Sequence, residues 1–166
     1  MTETVVTGVP PALAGVAAGQ WRMRADRCFL EFTVWRWLLP VMRGRLPAIG
    51  GRLTVADEPR LRIDVDGSAV QGAAWMLLFE SPYSRVRFRS TGVEPVGDQH
   101  LHIDGTVLLR QREVPLALRT RVIPVDGETL LIHATGGAPL AEVAPARSGL
   151  PRGGRVDVLL AAEFGR

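Results

Sequence analysis

Hydrophobic and polar residues alternate along most of this chain with a period of two, the spacing of side chains on opposite faces of a β-strand. Cys28, Leu30, Phe32 and Val34 alternate with Phe29, Glu31, Thr33 and Trp35. Leu53 and Val55 alternate with Arg52 and Thr54, and Leu61, Ile63 and Val65 with Arg62, Asp64 and Asp66. Val86 and Phe88 stand between Arg85, Arg87 and Arg89, which requires one dry and one wet face. Leu101, Ile103, Gly105, Val107 and Leu109 oppose His100, His102, Asp104, Thr106 and Leu108. Val114, Leu116, Leu118 and Val122 continue the pattern, as do Leu130, Ile132 and Ala134, and then Val156, Val158, Leu160 and Ala162.

Turn residues fall where these runs stop: Gly50-Gly51, Asp66-Gly67, Gly97-Asp98 and Asp126-Gly127, the last being the strongest hairpin signal. The apolar run Ala73 to Phe79 does not alternate and reads as a short helix or buried loop near 73–80. Residues 135–154, rich in Gly, Pro and Ala, read as a long loop. About eight sequential antiparallel strands predict an all-β, up-and-down barrel, since closure removes exposed edges. A barrel of that size is either filled by side chains or holds one slender ligand.

The 166 residues suit one domain, with 46% hydrophobic content to form its core. We expect a flexible arm over 1–18, interrupted by Pro10-Pro11, and a single barrel domain over 19–166. Every basic residue is arginine, the net charge is only +3, and acids such as Glu31, Asp57, Glu58, Asp64, Asp66 and Asp104 are interspersed. That mixture argues against nucleic-acid binding, which favours basic residues clustered on one face. A single cysteine, Cys28, points to a reducing, cytoplasmic setting and to a buried thiol rather than a redox centre. No apolar run reaches the length of a transmembrane segment.

Chemistry-bearing residues are sparse. His100 and His102 share a strand face and could begin a metal site with His133, but their phase puts them outside. Ser81, Ser84 and Ser90 lack a nucleophile motif, and Gly136-Gly137 and Gly153-Gly154 lack the helix and lysine of a phosphate loop. We therefore expect no catalytic residues, no metal and no cofactor. Trp35 and Trp37, placed on one strand face, read as a plug, a ligand mouth or a dimer contact.

From Gly19 onward the chain resembles the YceI-like family of lipocalin-like polyisoprenoid-binding proteins. Gly19-Gln20-Trp21 is similar to the family's opening G-x-W, and Leu30, Phe32 and Val34 to its first strand. Arg43-Gly44-Arg45-Leu46 with Gly51 resembles its R-G-x-F and following glycine, and Ser68 its serine after the third strand. Val86-Arg87-Phe88-Arg89-Ser90-Thr91 resembles the hallmark v-x-F-x-S-T. Gly105-Thr106-Val107-Leu108-Leu109-Arg110 followed by Val114-Pro115-Leu116 is similar to a characteristic strand pair. Arg24, Arg27-Cys28 and Trp35-Arg36 depart from the pattern, and the R-D-x-H-L segment is missing, with Trp75 to Phe79 in its place. The family's polar ligand contacts therefore do not carry over to this divergent chain.

The resemblance implies a lipocalin-like barrel that carries or sequesters a slender apolar molecule: a polyisoprenoid, an isoprenoid quinone or a fatty-acyl lipid. The residues expected to line the bore are Leu30, Phe32, Val34, Leu53, Ile63, Val86, Phe88, Ile103, Val107, Leu116, Leu118, Ile132, Val158 and Leu160, with Trp37, Trp75, Met76 and Phe79 near a mouth. Ten buried carbons at about 0.8 kcal/mol each contribute roughly 8 kcal/mol before association costs, which favours a long chain. Phe88→Ala is expected to alter the preferred chain length. The rival expectation is a filled barrel acting as a homodimer through Trp35 and Trp37.

Overall fold

The computed structural model describes residues 9–66, 85–109, 111–144 and 153–166. Among these residues nine strands form one antiparallel sheet: β1 (Gly19–Arg36), β2 (Leu39–Arg45), β3 (Ala48–Val55), β4 (Arg60–Asp66), β5 (Arg85–Val96), β6 (His100–Leu109), β7 (Arg112–Pro124), β8 (Thr129–Pro139) and β9 (Arg155–Gly165). A four-residue helix, α1 (Leu140–Val143), follows β8. Eight strands close into an up-and-down barrel through pairing of β1 with β9, and β2 is the extra one.

The long first strand makes this possible by changing partners. Along one edge it pairs with β9, from Arg22↔Gly165 to Trp35↔Arg155, across an irregularity between Met23 and Cys28. Along the other edge Gly19–Arg22 pairs with β3, whereas Glu31–Arg36 pairs with β2. No described strand pairs with the outer edge of β2.

The alternating residues fall as their phase requires. Val86 and Phe88 are buried while Arg85 and Arg89 are exposed, and Leu101 and Ile103 are buried beneath part-exposed His100 and His102. The sequence does not reveal β2. Leu39-Pro40-Val41-Met42 does not alternate and contains a proline, a residue that suits an edge strand such as this one. Gly50-Gly51, expected to form a turn, lies within β3, where a Cβ on Gly51 would stand 3.1 Å from Met23 Sδ. Residues 135–139, expected to open a long loop, continue β8, because Thr135–Pro139 pairs with Leu159–Arg155 of β9.

One end of the barrel is filled. Leu13, Trp21, Val55, Leu61, Leu101, Leu130 and Phe164 are each 1% exposed or less and pack together there. A 3-10 turn over Pro11–Leu13 brings Leu13 against this end, and Trp21 Nε1 donates a hydrogen bond to the Ala17 carbonyl at 3.0 Å. Full burial of a leucine side chain contributes about 2 kcal/mol, so this segment, within the stretch expected to be a flexible arm, is tied to the core. Residues 1–8 of that stretch lie outside the described residues.

Candidate functional site: an apolar cavity at the other end

The opposite half of the barrel is less completely packed. A cavity of about 80 Å³ lies inside it, and the described residues that line it are all apolar. Phe32 of β1, Val86 of β5, Val107 of β6, Leu116 of β7 and Val158 of β9 are on its wall, all five among the residues expected to line the bore. Their inward phase places them there. The register then links them: Phe32 lies opposite Val158, and Val107 lies between Phe88 and Val114.

Six wall residues were not among those expected: Leu46, Leu109, Val114, Ala138, Val143 and Val156. Leu109, Val114 and Val156 already stand at inward positions of alternating runs, so their phase was a usable signal. Ala138 and Val143 fall in the stretch read as loop, and Leu46 follows the unrecognised strand β2. The Leu46 amide donates to the Leu30 carbonyl at 2.8 Å, which holds it against the barrel. Arg112 donates to the Glu142 carbonyl and so ties α1, with Val143, to the start of β7.

Leu30, Val34, Leu53, Ile63, Phe88, Ile103, Leu118, Ile132 and Leu160 belong to the core or pack on it, but none lines the cavity. Phe88 illustrates why. A Cβ on Gly105 would fall 2.5 Å from Cε2 and Cζ of the Phe88 ring, so the ring lies over this glycine and occupies the place of its missing side chain. The Phe88 ring therefore fills space inside the barrel rather than lining the cavity, while its neighbours Val86 and Val107 are on the cavity wall. Trp37 is 86% exposed in a turn, not on the strand face with Trp35 or in the wall. Trp35 is half-buried, its ring under the Arg155 guanidinium at 5.6 Å. Trp75, Met76 and Phe79, with the rest of the 73–80 segment, lie outside the described residues.

The cavity lies toward one rim of the barrel. Val107, Leu116, Val143 and Val158 are only half-buried although they point at it. The same rim carries the end of β4 and the start of β5, the end of β8 with α1, and the start of β9.

The charged groups among the described residues stay on the outer surface. Asp64 accepts from Arg87 Nε at 2.6 Å and Arg62 Nε at 3.0 Å. Partial burial opposes its ionisation, but these two guanidinium bonds outweigh it and hold the carboxyl below its usual range. His102 Nε2 is 3.1 Å from Asp104 Oδ1. His100 and His133 are separated by β7, with Arg121 between them, so the three histidines do not converge. Among the described residues no group of three or more His, Cys, Asp or Glu is placed to hold a metal. Burial pushes the Cys28 thiol up to about 11, so at neutral pH it is the protonated, unreactive form. No described helix is long and apolar enough to cross a membrane.

No protein-family model matches the chain, and no curated protein matches it. Among solved structures, BcnA of Burkholderia cenocepacia superposes with a TM-score of 0.69 at 11% identity, covering 85% of this chain and 98% of that one. A polyisoprenoid-binding domain from Saccharophagus degradans, implicated in plant cell wall breakdown, superposes with a TM-score of 0.63 at 11% identity, covering 90% and 99%. The chain thus has the fold of these barrels, in agreement with the resemblance of its ordered strand motifs to a divergent YceI-like protein.

Proposed function

We propose that this protein carries or sequesters a slender apolar molecule, a polyisoprenoid, an isoprenoid quinone or a fatty-acyl lipid, and that the cavity receives the end of its chain. The observation that carries the reading is the all-apolar lining at the rim end of a barrel whose other end is filled. Such a space offers water no hydrogen-bond partner and suits hydrocarbon. The polyisoprenoid-binding domain with the same fold supports the ligand class.

The volume defines how the ligand sits. A methylene fills roughly the space of one water, about 30 Å³, so 80 Å³ accommodates about three carbons. At about 0.8 kcal/mol each they contribute roughly 2.4 kcal/mol, less than association costs. The cavity is thus the terminal anchor, and the remaining carbons extend from it toward the rim, past the half-buried Val143. A short metabolite gains too little; a long chain gains enough.

Ala138→Leu tests this directly. The change adds about three carbons at a wall position that is already buried, filling the anchor and adding up to about 1 kcal/mol of stability. In native mass spectrometry with an added isoprenoid alcohol or fatty acid, the parent chain should form a one-to-one complex and Ala138→Leu should lose it while remaining folded. Equal uptake by both would remove the cavity from the account.

A further inference from the structure

The hairpin joining β1 and β2 projects beyond the cavity rim and presents an apolar tip. Trp37 is 86% exposed, Leu38 90%, Leu39 70% and Val41 54%. Large side chains exposed side by side in this way mark an interaction surface. The turn is also strained. Arg36 pairs with Leu39, so the loop has two residues, and Trp37 takes φ 59° while Leu38 remains at negative φ. That is the primed turn with one left-handed residue, whose first central position favours glycine. Here a tryptophan occupies that position with its side chain in solvent. Nothing in the packing of the barrel requires it.

Charge identifies the partner. From Trp35 to Arg45 the hairpin carries Arg36, Arg43 and Arg45 and no acid, and Arg155 stands beside Trp35. Arg43 has Glu31 at 3.5 Å and Arg155 has Asp157 at 3.2 Å, whereas Arg36 has no partner among the described residues. Arg45 lies over the Phe29 ring at 4.5 Å. A two-fold contact between copies would bring this basic collar against itself. An anionic bilayer surface instead accepts tryptophan and leucine at the headgroup boundary and attracts the arginines behind them.

We infer that the β1–β2 hairpin docks the protein onto anionic lipid surfaces, with Trp37, Leu38 and Leu39 inserted and Arg36, Arg43 and Arg45 against the headgroups. The tip stands about three residues, on the order of 10 Å, beyond the Val34–Val156 pair, next to the cavity rim. The inference goes beyond ligand carriage and does not depend on it, since docking needs no occupied cavity.

Trp37→Gly separates a membrane role from a structural one, because glycine suits the turn while removing the side chain. Cosedimentation with phosphatidylglycerol–phosphatidylcholine vesicles should retain the parent chain, with retention falling severalfold between about 0.1 and 0.5 M salt. Trp37→Gly should lower the partition by roughly tenfold or more, with a melting temperature equal to or above the parent's. Replacing Arg36, Arg43 and Arg45 together with Gln should abolish the preference for anionic over neutral vesicles. Absence of vesicle binding by the parent, or binding unchanged in Trp37→Gly, would overturn the assignment. A parent dimer that dissociates in Trp37→Gly, without lipid binding, would also overturn it and give the surface to a second copy.

Discussion

Thr120 is fully buried on β7, opposite Leu101 and Ala134, and its Oγ1 has no hydrogen-bond partner among the described residues. A hydroxyl removed from water without a partner costs about 1–3 kcal/mol, whereas valine has nearly the same shape. Thr120→Val should therefore raise stability by about 1 kcal/mol, read as a rise of roughly 2–4 °C in melting temperature. A fall would mean that the hydroxyl is satisfied in solution. The residue scale is also where the sequence is least informative about the site. Its phase correctly places Phe88 inside, yet whether an inward ring faces a cavity or a glycine depends on the strand opposite. Gly105 stands two residues before Val107, which is paired with Phe88, and this register cannot be read from either segment alone.

At the scale of elements, the register produces an arrangement that no single strand discloses. Arg22, Arg52, Arg62 and Arg89 lie directly opposite one another across β1, β3, β4 and β5. Of the four, Arg62 alone has an acidic partner, Asp64 at 3.0 Å, among the described residues. Like charges directly opposed across a sheet are destabilising, by about 0.2–1 kcal/mol per pair. Arg52→Glu replaces two repulsive contacts with attractive ones and should stabilise the barrel by about 1 kcal/mol at low salt. The gain should shrink above about 0.5 M salt, where the Debye length is only a few ångströms. Urea titrations at two salt concentrations measure both; a salt-independent change would assign the effect to packing.

Strand positions themselves were largely legible. Each run of clear alternation became part of a strand, because burying one face of a sheet imposes that pattern. The pattern fails where that constraint is relaxed. Strand β2 is exposed along Leu39, Pro40 and Val41, and the later part of β8 passes through Gly136-Gly137, where there are no side chains to alternate. Two of the missed wall residues, Leu46 and Ala138, lie in or beside these stretches. The extension of β1 from Gly19 was likewise hidden by its irregular section between Met23 and Cys28.

At the scale of the whole molecule the two ends differ in filling. One end is closed by Trp21, Phe164 and Leu13, all at most 1% exposed. The other retains a small apolar cavity, half-buried hydrophobic walls and, beyond its rim, an exposed hairpin. Sequence reading anticipated the barrel and assigned its inward positions to one bore with a mouth, or to a filled interior. The asymmetry was not legible because it depends on summed side-chain volumes at each level of a closed sheet. The central claim is that the rim end holds a chain-bearing apolar ligand. Denaturing organic extraction of the purified protein, with mass spectrometry of the extract and native mass spectrometry of the intact protein, tests it most directly. The account predicts a stoichiometric isoprenoid or acyl compound, or an empty protein that takes one up when supplied; an empty protein that rejects both classes would contradict it.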